Sequence, residues 1–325
     1  MSFQDSTSRS QTHRHWLALG FSFALTAVTL FFVFRGIDRQ AFARLLATQD
    51  RGWLAVAAVF LVTQIFLGGE RWRSILRALM RGPPPFVASV QAVFYASIFF
   101  NCLPFGTVGG DVARVWLARR FALSLSQIVL SILVDRVLTV AALIMLALAT
   151  LPTISSPFAV TAWFGGAAIL VAFALGMLLL GVIERLLGRW RRQRLIHFVL
   201  RMAEELRQLN KRAGLIALGF ALASGACSGF GAYCIARSLG IAVGPVPMIA
   251  VTSIMTLVVA LPISVAGWGV REISLVALLG LLGVDREAAL ALSVELGLIT
   301  TLLSLPGGVV WLMLRDHRNA ASPAK

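Results

Sequence analysis

The stretch Asn101-Cys102-Leu103-Pro104-Phe105-Gly106-Thr107-Val108-Gly109-Gly110-Asp111 interrupts an apolar segment, 86 to 120. A second stretch, Leu261-Pro262-Ile263-Ser264-Val265-Ala266-Gly267-Trp268-Gly269, interrupts another, 245 to 283. Irregular backbone inside a bilayer is tolerated only where protein or a wet cavity surrounds it, because unpaired N–H and C=O groups cost several kcal/mol in lipid. The two stretches align at an offset of 158 residues, with Leu103-Pro104 on Leu261-Pro262, Gly109 on Gly267 and Val112 on Val270. Two copies of one broken-helix device are therefore expected, with the breaks at Pro104, Gly106, Gly109, Gly110 and at Pro262, Gly267, Gly269.

The surroundings of both stretches place them in a membrane. Of 325 residues 58% are apolar and 13% charged, and the mean hydropathy is +0.86. A soluble domain is nearer ~45–50% apolar and ~25% charged. At ~20 apolar residues per span the length allows about eight crossings. Uninterrupted spans are read at 16–34, 53–69, 125–150, 158–183, 213–236 and 286–314. The first of these is too long for the apolar core of a signal peptide and no cleavage pattern follows it. Residues 1–15 are expected to be a disordered cytoplasmic N-terminus and 315–325 a cytoplasmic tail.

Charge sets the expected sidedness. The formal net charge is +15, and among the 29 basic residues only Lys211 and Lys325 are not arginine. Arginines between apolar runs read as anchors on anionic lipid, not as a nucleic-acid surface. The stretch 184–212 carries Arg185, Arg189, Arg191, Arg192, Arg194, Arg201, Arg207, Lys211 and Arg212, whereas 151–157 carries no charge. The former is read as cytoplasmic and the latter as external. Arg71, Arg73, Arg77 and Arg81 then fall inside, and both termini are cytoplasmic. Segment 86–120 enters and leaves from the cytoplasm, segment 245–283 from outside. Three crossings separate them, so units of about 53–150 and 211–314 are expected to be inverted repeats, each with a re-entrant helical hairpin. The all-α polytopic domain 16–314 would add helices at 16–34 and 158–183. Inverted repeats with broken helices are a transporter signature, with the substrate near the midplane.

Several residues are candidates for that site. Each break precedes a helix N-terminus, whose free N–H groups and positive dipole end suit a phosphate; alternatively the Pro and Gly residues only close tight turns and Asp111 is an N-cap. Asp135, Arg136 and Glu295 lie about ten residues into their spans, or ~15 Å deep, near the middle of a ~30 Å core. Charges at that depth are functional candidates by default, or else an ion pair holding the units together. Arg271 and Glu272 are placed to meet a headgroup, with Glu272 complementing a helix N-terminus. Pairing between those two is not assumed, because neighbours do not share a helix face. The candidate headgroup set is Asp111, Arg114, Asp135, Arg136, Arg271, Glu272 and Glu295.

Other features are less specific. Leu195, Val199, Met202, Leu206 and Leu209, spaced 4-3-4-3 among arginines, suggest an interfacial amphipathic helix within 184–212. Gly225 and Gly229, with Ser224 and Ser228, suggest close helix packing. Cys102, Cys227 and Cys234 form no disulfide framework. His13, His15, His197 and His317 lack metal-ligand spacing, Gly267-x-Gly269 lacks the context of a dinucleotide site, and there is no P-loop. Neither a metal nor a cofactor is expected.

The motifs together resemble the lysylphosphatidylglycerol synthase transmembrane family, also called the flippase-like domain family. The likeness runs from about Trp16 to Leu314. It rests on Leu103-Pro104-x-Gly106-x-x-Gly109-Gly110-Asp111-x-x-Arg114, Asp135-Arg136, Gly267-x-Gly269-x-Arg271-Glu272 and Pro306-Gly307-Gly308. Val265-Ala266 stand where a Pro-Gly is common in that family. The resemblance implies lipid translocation in a bacterial cytoplasmic (inner) membrane, as in the membrane part of the multiple peptide resistance factor. It implies membrane lipids as partners, of the phospholipid, aminoacyl-phospholipid, polyprenyl-phosphate or hopanoid class. With eleven residues after the last span, lipid synthesis is not expected and the chain is read as a non-enzyme. The competing expectations are an ion-coupled carrier of a small soluble anion and a non-transporting scaffold for a lipid-modifying enzyme.

Overall fold

A computed structural model describes residues 40, 47–80, 86–102, 106–121, 123–153, 211–260 and 268–320. The expected helices at 16–34 and 158–183, the expected amphipathic helix 184–212 up to residue 210, residues 1–15 and 321–325, and Pro104, Pro262 and Gly267 lie outside the described residues. Within them the chain is all-helical: α1 (Arg51–Leu79), α2 (Val87–Asn101), α3 (Gly106–Ala118), α4 (Leu125–Thr150), a 3-10 turn (Leu151–Thr153), α5 (Lys211–Ser238), α6 (Pro245–Val259), α7 (Val270–Gly280) and α8 (Arg286–Ala320).

Local chemistry sets several of these boundaries. Asp50 caps α1, its Oδ1 accepting the Gly52 N–H at 2.7 Å. Past Met80 the run Pro83-Pro84-Pro85 lacks the donors to continue a helix. Ser124 and Gln127 form a reciprocal capping box at the start of α4, at 3.3 and 3.0 Å. Pro245 opens α6 at the position where its missing N–H costs nothing. Gly269 precedes α7 at φ 88°, in the left-handed region that a side chain would strain.

Among the described residues, four helices are long and apolar enough to cross a membrane, Arg51–Leu79, Leu125–Thr153, Arg212–Ser238 and Arg286–Arg315. α2 and α6 are each 15 residues. At ~1.5 Å per residue that is ~22 Å, short of a ~30 Å core, so neither crosses alone. Their bounds differ by 158 residues at both ends, from Val87 to Pro245 and from Asn101 to Val259.

Among the described helices the most extensive pair is α1 with α5. Ala57, Leu61, Ala232 and Ile235 are buried in it, Phe60 stacks on Phe230 at 5.5 Å, and Trp53 meets Tyr233 edge-on at 6.2 Å. α2 packs against α3 and α8, whereas α6 packs against α4, α5 and α7. Small residues permit these approaches: a Cβ on Gly229 would lie 2.6 Å from Ile249 of α6, and one on Gly225 2.6 Å from Leu146 of α4. A second core joins Trp72 and Leu76 of α1, Val90, Val93 and Phe94 of α2, Leu117 of α3 and Ile128 of α4, with Trp311 and Leu314 of α8 packed on it. Pro306 lies inside α8, and the Tyr95 hydroxyl donates to the Leu303 carbonyl one turn before it at 2.6 Å.

The first break is shorter than the sequence suggests. α3 begins at Gly106, so Gly109, Gly110 and Asp111 are helical, and Asp111, the sixth residue of α3, is not its N-cap. Gly110 serves helix contact, since a Cβ there would lie 2.7 Å from the Ser97 carbonyl of α2. α1 also runs on to Leu79, past the expected end at 69, which carries Arg71 and Arg73 along a packed helix.

Candidate functional site

Asp135 of α4, 1% exposed, accepts hydrogen bonds from two arginines on two other helices. Arg71 Nε of α1 donates to Oδ1 at 2.6 Å, and Arg114 Nη1 of α3 donates to Oδ2 at 3.0 Å. Both arginines are buried. The Arg114 guanidinium lies 4.6 Å from the Phe94 ring centroid and 5.2 Å from that of Trp72, and its Nε reaches Ser97 Oγ at 3.4 Å. Trp72 Nε1 in turn donates to Ser131 Oγ, one turn before Asp135, at 3.1 Å. Burying ions is repaid only by close and multiple partners, and removing one partner of such a set typically costs about 3–5 kcal/mol. Asp135 therefore fastens α1, α3 and α4 together.

The next residue does something different. Successive helix positions point ~100° apart, so Arg136 leaves this node and meets Asp111 of α3 in a two-pronged pair, Nε to Oδ2 at 3.1 Å and Nη2 to Oδ1 at 2.7 Å. Here the side chains are 38% and 27% exposed. The four candidates Asp111, Arg114, Asp135 and Arg136 thus form one cluster, joined by Arg71. Among the described residues these pairs bring three arginines to two aspartates.

Arg271 and Glu272 form a second cluster, and the expectation that they need not pair is corrected. Arg271 Nη2 and Nε both reach Glu272 Oε1, at 2.8 and 3.2 Å. The long arginine bends back over its neighbour because Trp268 supports it, 4.4 Å from the ring centroid, and because Gly297 of α8 leaves the space its guanidinium fills. Glu272 is fully buried and its other contacts are structural: Oε2 accepts the Gly269 N–H at 2.5 Å and Oε1 accepts from Ser293 Oγ at 3.3 Å. Glu272 complements the start of α7 as expected.

Glu295 joins neither cluster. It is 7% exposed, and its Oε2 is buried without a hydrogen-bond partner among the described residues. Two positions from Ser293, it points ~200° around α8 from the residue that meets Glu272. An ion pair between the two units through Asp135, Arg136 and Glu295 is not formed; the pairs lie within each unit.

Two further groups escaped the sequence. Arg71 reads as a surface anchor until α1 is seen to continue eight residues beyond it. Glu70 pairs with Arg73 at 3.2 Å and accepts from Gln91 Nε2 at 3.0 Å, while the same amide donates to the Phe66 carbonyl at 3.0 Å. The signal available for both was an acid, Glu70, at the end of an apolar run. Among the described residues no group of three or more His, Cys, Asp or Glu side chains could hold a metal ion.

No curated protein matches the chain. Residues 16–308 match the family described as the lysylphosphatidylglycerol synthase TM region, and the chain belongs to that family.

Proposed function

We propose that this chain moves a phosphate-bearing lipid, anionic or zwitterionic, between the leaflets of the membrane, with the headgroup passing Arg136 and the tails remaining in lipid. One observation carries this reading: the α1–α3–α4 cluster holds one more arginine than aspartate, and its accessible end is the Asp111–Arg136 pair. A guanidinium fork suits a phosphate, and a headgroup taking Arg136 from Asp111 would exchange one charged partner for another. Membership of a family tied to phospholipid handling supports the substrate class.

Inverted repeats with re-entrant hairpins belong to the same proposal. α2 and α6 have equal length, α1 pairs with α5, and α2 packs on α8 as α6 packs on α4. That exchange of partners is the pattern expected of two units related by a pseudo-twofold axis. In this view both termini are cytoplasmic, the chain transports and does not synthesise, and no cofactor takes part.

The test is translocation of fluorescent phosphatidylglycerol by the purified full-length protein in liposomes, read by chemical quenching of the outer leaflet. Activity that falls to background in Arg136→Gln supports the reading. No translocation by the folded wild-type protein alone would favour a scaffold, and uptake of a soluble anion in its place would favour a carrier.

A further inference from the structure

Resting on the transport reading above, we infer that the groove between α3 and α8 is a lateral entrance in which one acyl chain of a phosphate-bearing lipid lies. Both helices pack on α2 but scarcely on each other. The gap between them is a cavity of about 480 Å³ lined by Phe100, Val108, Val112, Trp116 and Trp311, together with Gly109 and Ala113. Every lining residue is apolar. The volume is in the range of sites that enclose small ligands.

The two ends of the groove identify the occupant. At one end stand Trp116 and Trp311, the residue type that marks the headgroup level of a bilayer. Arg315 lies over the Trp311 ring at 5.6 Å, and Arg120 of the α3 end bonds the Leu314 carbonyl of α8 at 3.2 Å. Cations at an aromatic belt suit a lipid phosphate. Toward the other end the exposed Val108 lies one helical turn before Asp111 and shares an edge of α3 with it. From Trp116 back to Asp111 is five residues, or ~7 Å along the axis. The groove therefore leads from a cationic belt to the accessible pair, with apolar walls between. A soluble anion has no use for such walls, whereas an acyl chain does.

The inference is tested with a phosphatidylglycerol carrying a photoreactive group in one acyl chain, mixed into liposomes with the full-length protein. Crosslinks are located by mass spectrometry of peptides. Labelling of Val108 and Val112 should exceed that of Val59, Val62 and Phe66, comparably exposed on α1, by about fivefold, the preference one basic residue near the surface gives an anionic lipid. A photoreactive diacylglycerol without phosphate should show no such excess. Val112→Trp, which fills the groove, should abolish the excess and leave α1 labelling unchanged. Equal labelling of groove and α1, or equal excess with diacylglycerol, overturns the inference whether or not Val112→Trp folds. If the excess is found but wild-type protein translocates no lipid, the groove stands as a lipid site and the transport reading falls. If lipid is translocated without any excess, the transport reading stands and the entrance does not.

Discussion

Arg71 and Asp135 are 64 residues apart in sequence and meet at 2.6 Å, Nε to Oδ1, in a site closed to solvent. Arg136, the very next residue, forms its pair where both partners are partly accessible. One dipeptide therefore occupies two environments, a fastening inside the helix cluster and, under the proposed function, a charge that a headgroup can reach. This division separates the residues whose loss should unfold the protein from those whose loss should stop its work.

Asp135→Asn is expected to destabilise the purified protein by about 3–5 kcal/mol, because Arg71 and Arg114 would be left without their counter-charge in a buried site. Asp111→Asn should cost no more than about 1 kcal/mol, the range of accessible pairs. Thermal unfolding in one detergent, followed by loss of monodisperse protein, checks both. Equal losses would mean that Asp111 and Asp135 do not differ in role.

Asp111→Asn should also tighten binding of phosphatidylglycerol. The substitution leaves Arg136 in place and removes the carboxylate competing for it. A gain of up to about fivefold matches an accessible ion pair of about 1 kcal/mol. Arg136→Gln should lose binding, and raised salt should narrow the difference between the two variants. Native mass spectrometry of lipid retained by each variant measures it, and weaker binding by Asp111→Asn would place the carboxylate among the ligands.

The burial of Asp135 and Glu295 was legible in the sequence, because a charge about ten residues into an apolar run is too costly to keep without a partner or a task. Their partners were not legible. Arg71 stands in Glu70-Arg71-Trp72-Arg73, which reads as the cationic end of a span, and only the continuation of α1 to Leu79 puts it ~12 Å inside the helix. Gly109 and Gly110 look like loop residues because glycine weakens a helix in water. Within a membrane bundle a glycine lets two backbones approach, and Gly110 does so against Ser97. The equal 15-residue lengths of α2 and α6 could be foreseen from the 158-residue offset. The fold of Arg271 over Glu272 could not, since it depends on Trp268 and on Gly297, 26 residues further along.

Gly297→Ala should displace the Arg271 guanidinium from Glu272, since the added Cβ would occupy its place. Glu272 would keep Gly269 and Ser293 but lose its charged partner, at about 3–5 kcal/mol. Arg271→Gln alone should cost a similar amount. Because both act through the same pair, the double variant should be little worse than either single one, and thermal stability of the four proteins gives the coupling. Additive losses would mean that Gly297 matters for some other contact.

Sidedness decides whether the two units are inverted. The uncharged 151–157 and the nine basic residues of 184–212 predict opposite sides for these loops. Single cysteines at Ser155 and Arg192 can be labelled with an impermeant maleimide in intact cells and in permeabilised cells. The native thiols must first be removed: Cys102 Sγ lies 2.9 Å from Ser304 Oγ and is best replaced by serine, whereas Cys234, 2% exposed, calls for alanine. Position 155 should react in intact cells and position 192 only after permeabilisation. Two short helices that enter from opposite faces, α2 from the cytoplasm and α6 from outside, need an odd number of crossings between them. Reaction of both positions from the same side would leave an even number. The shared 158-residue offset would then describe a parallel duplication, and a headgroup path between two inverted hairpins would be lost with it.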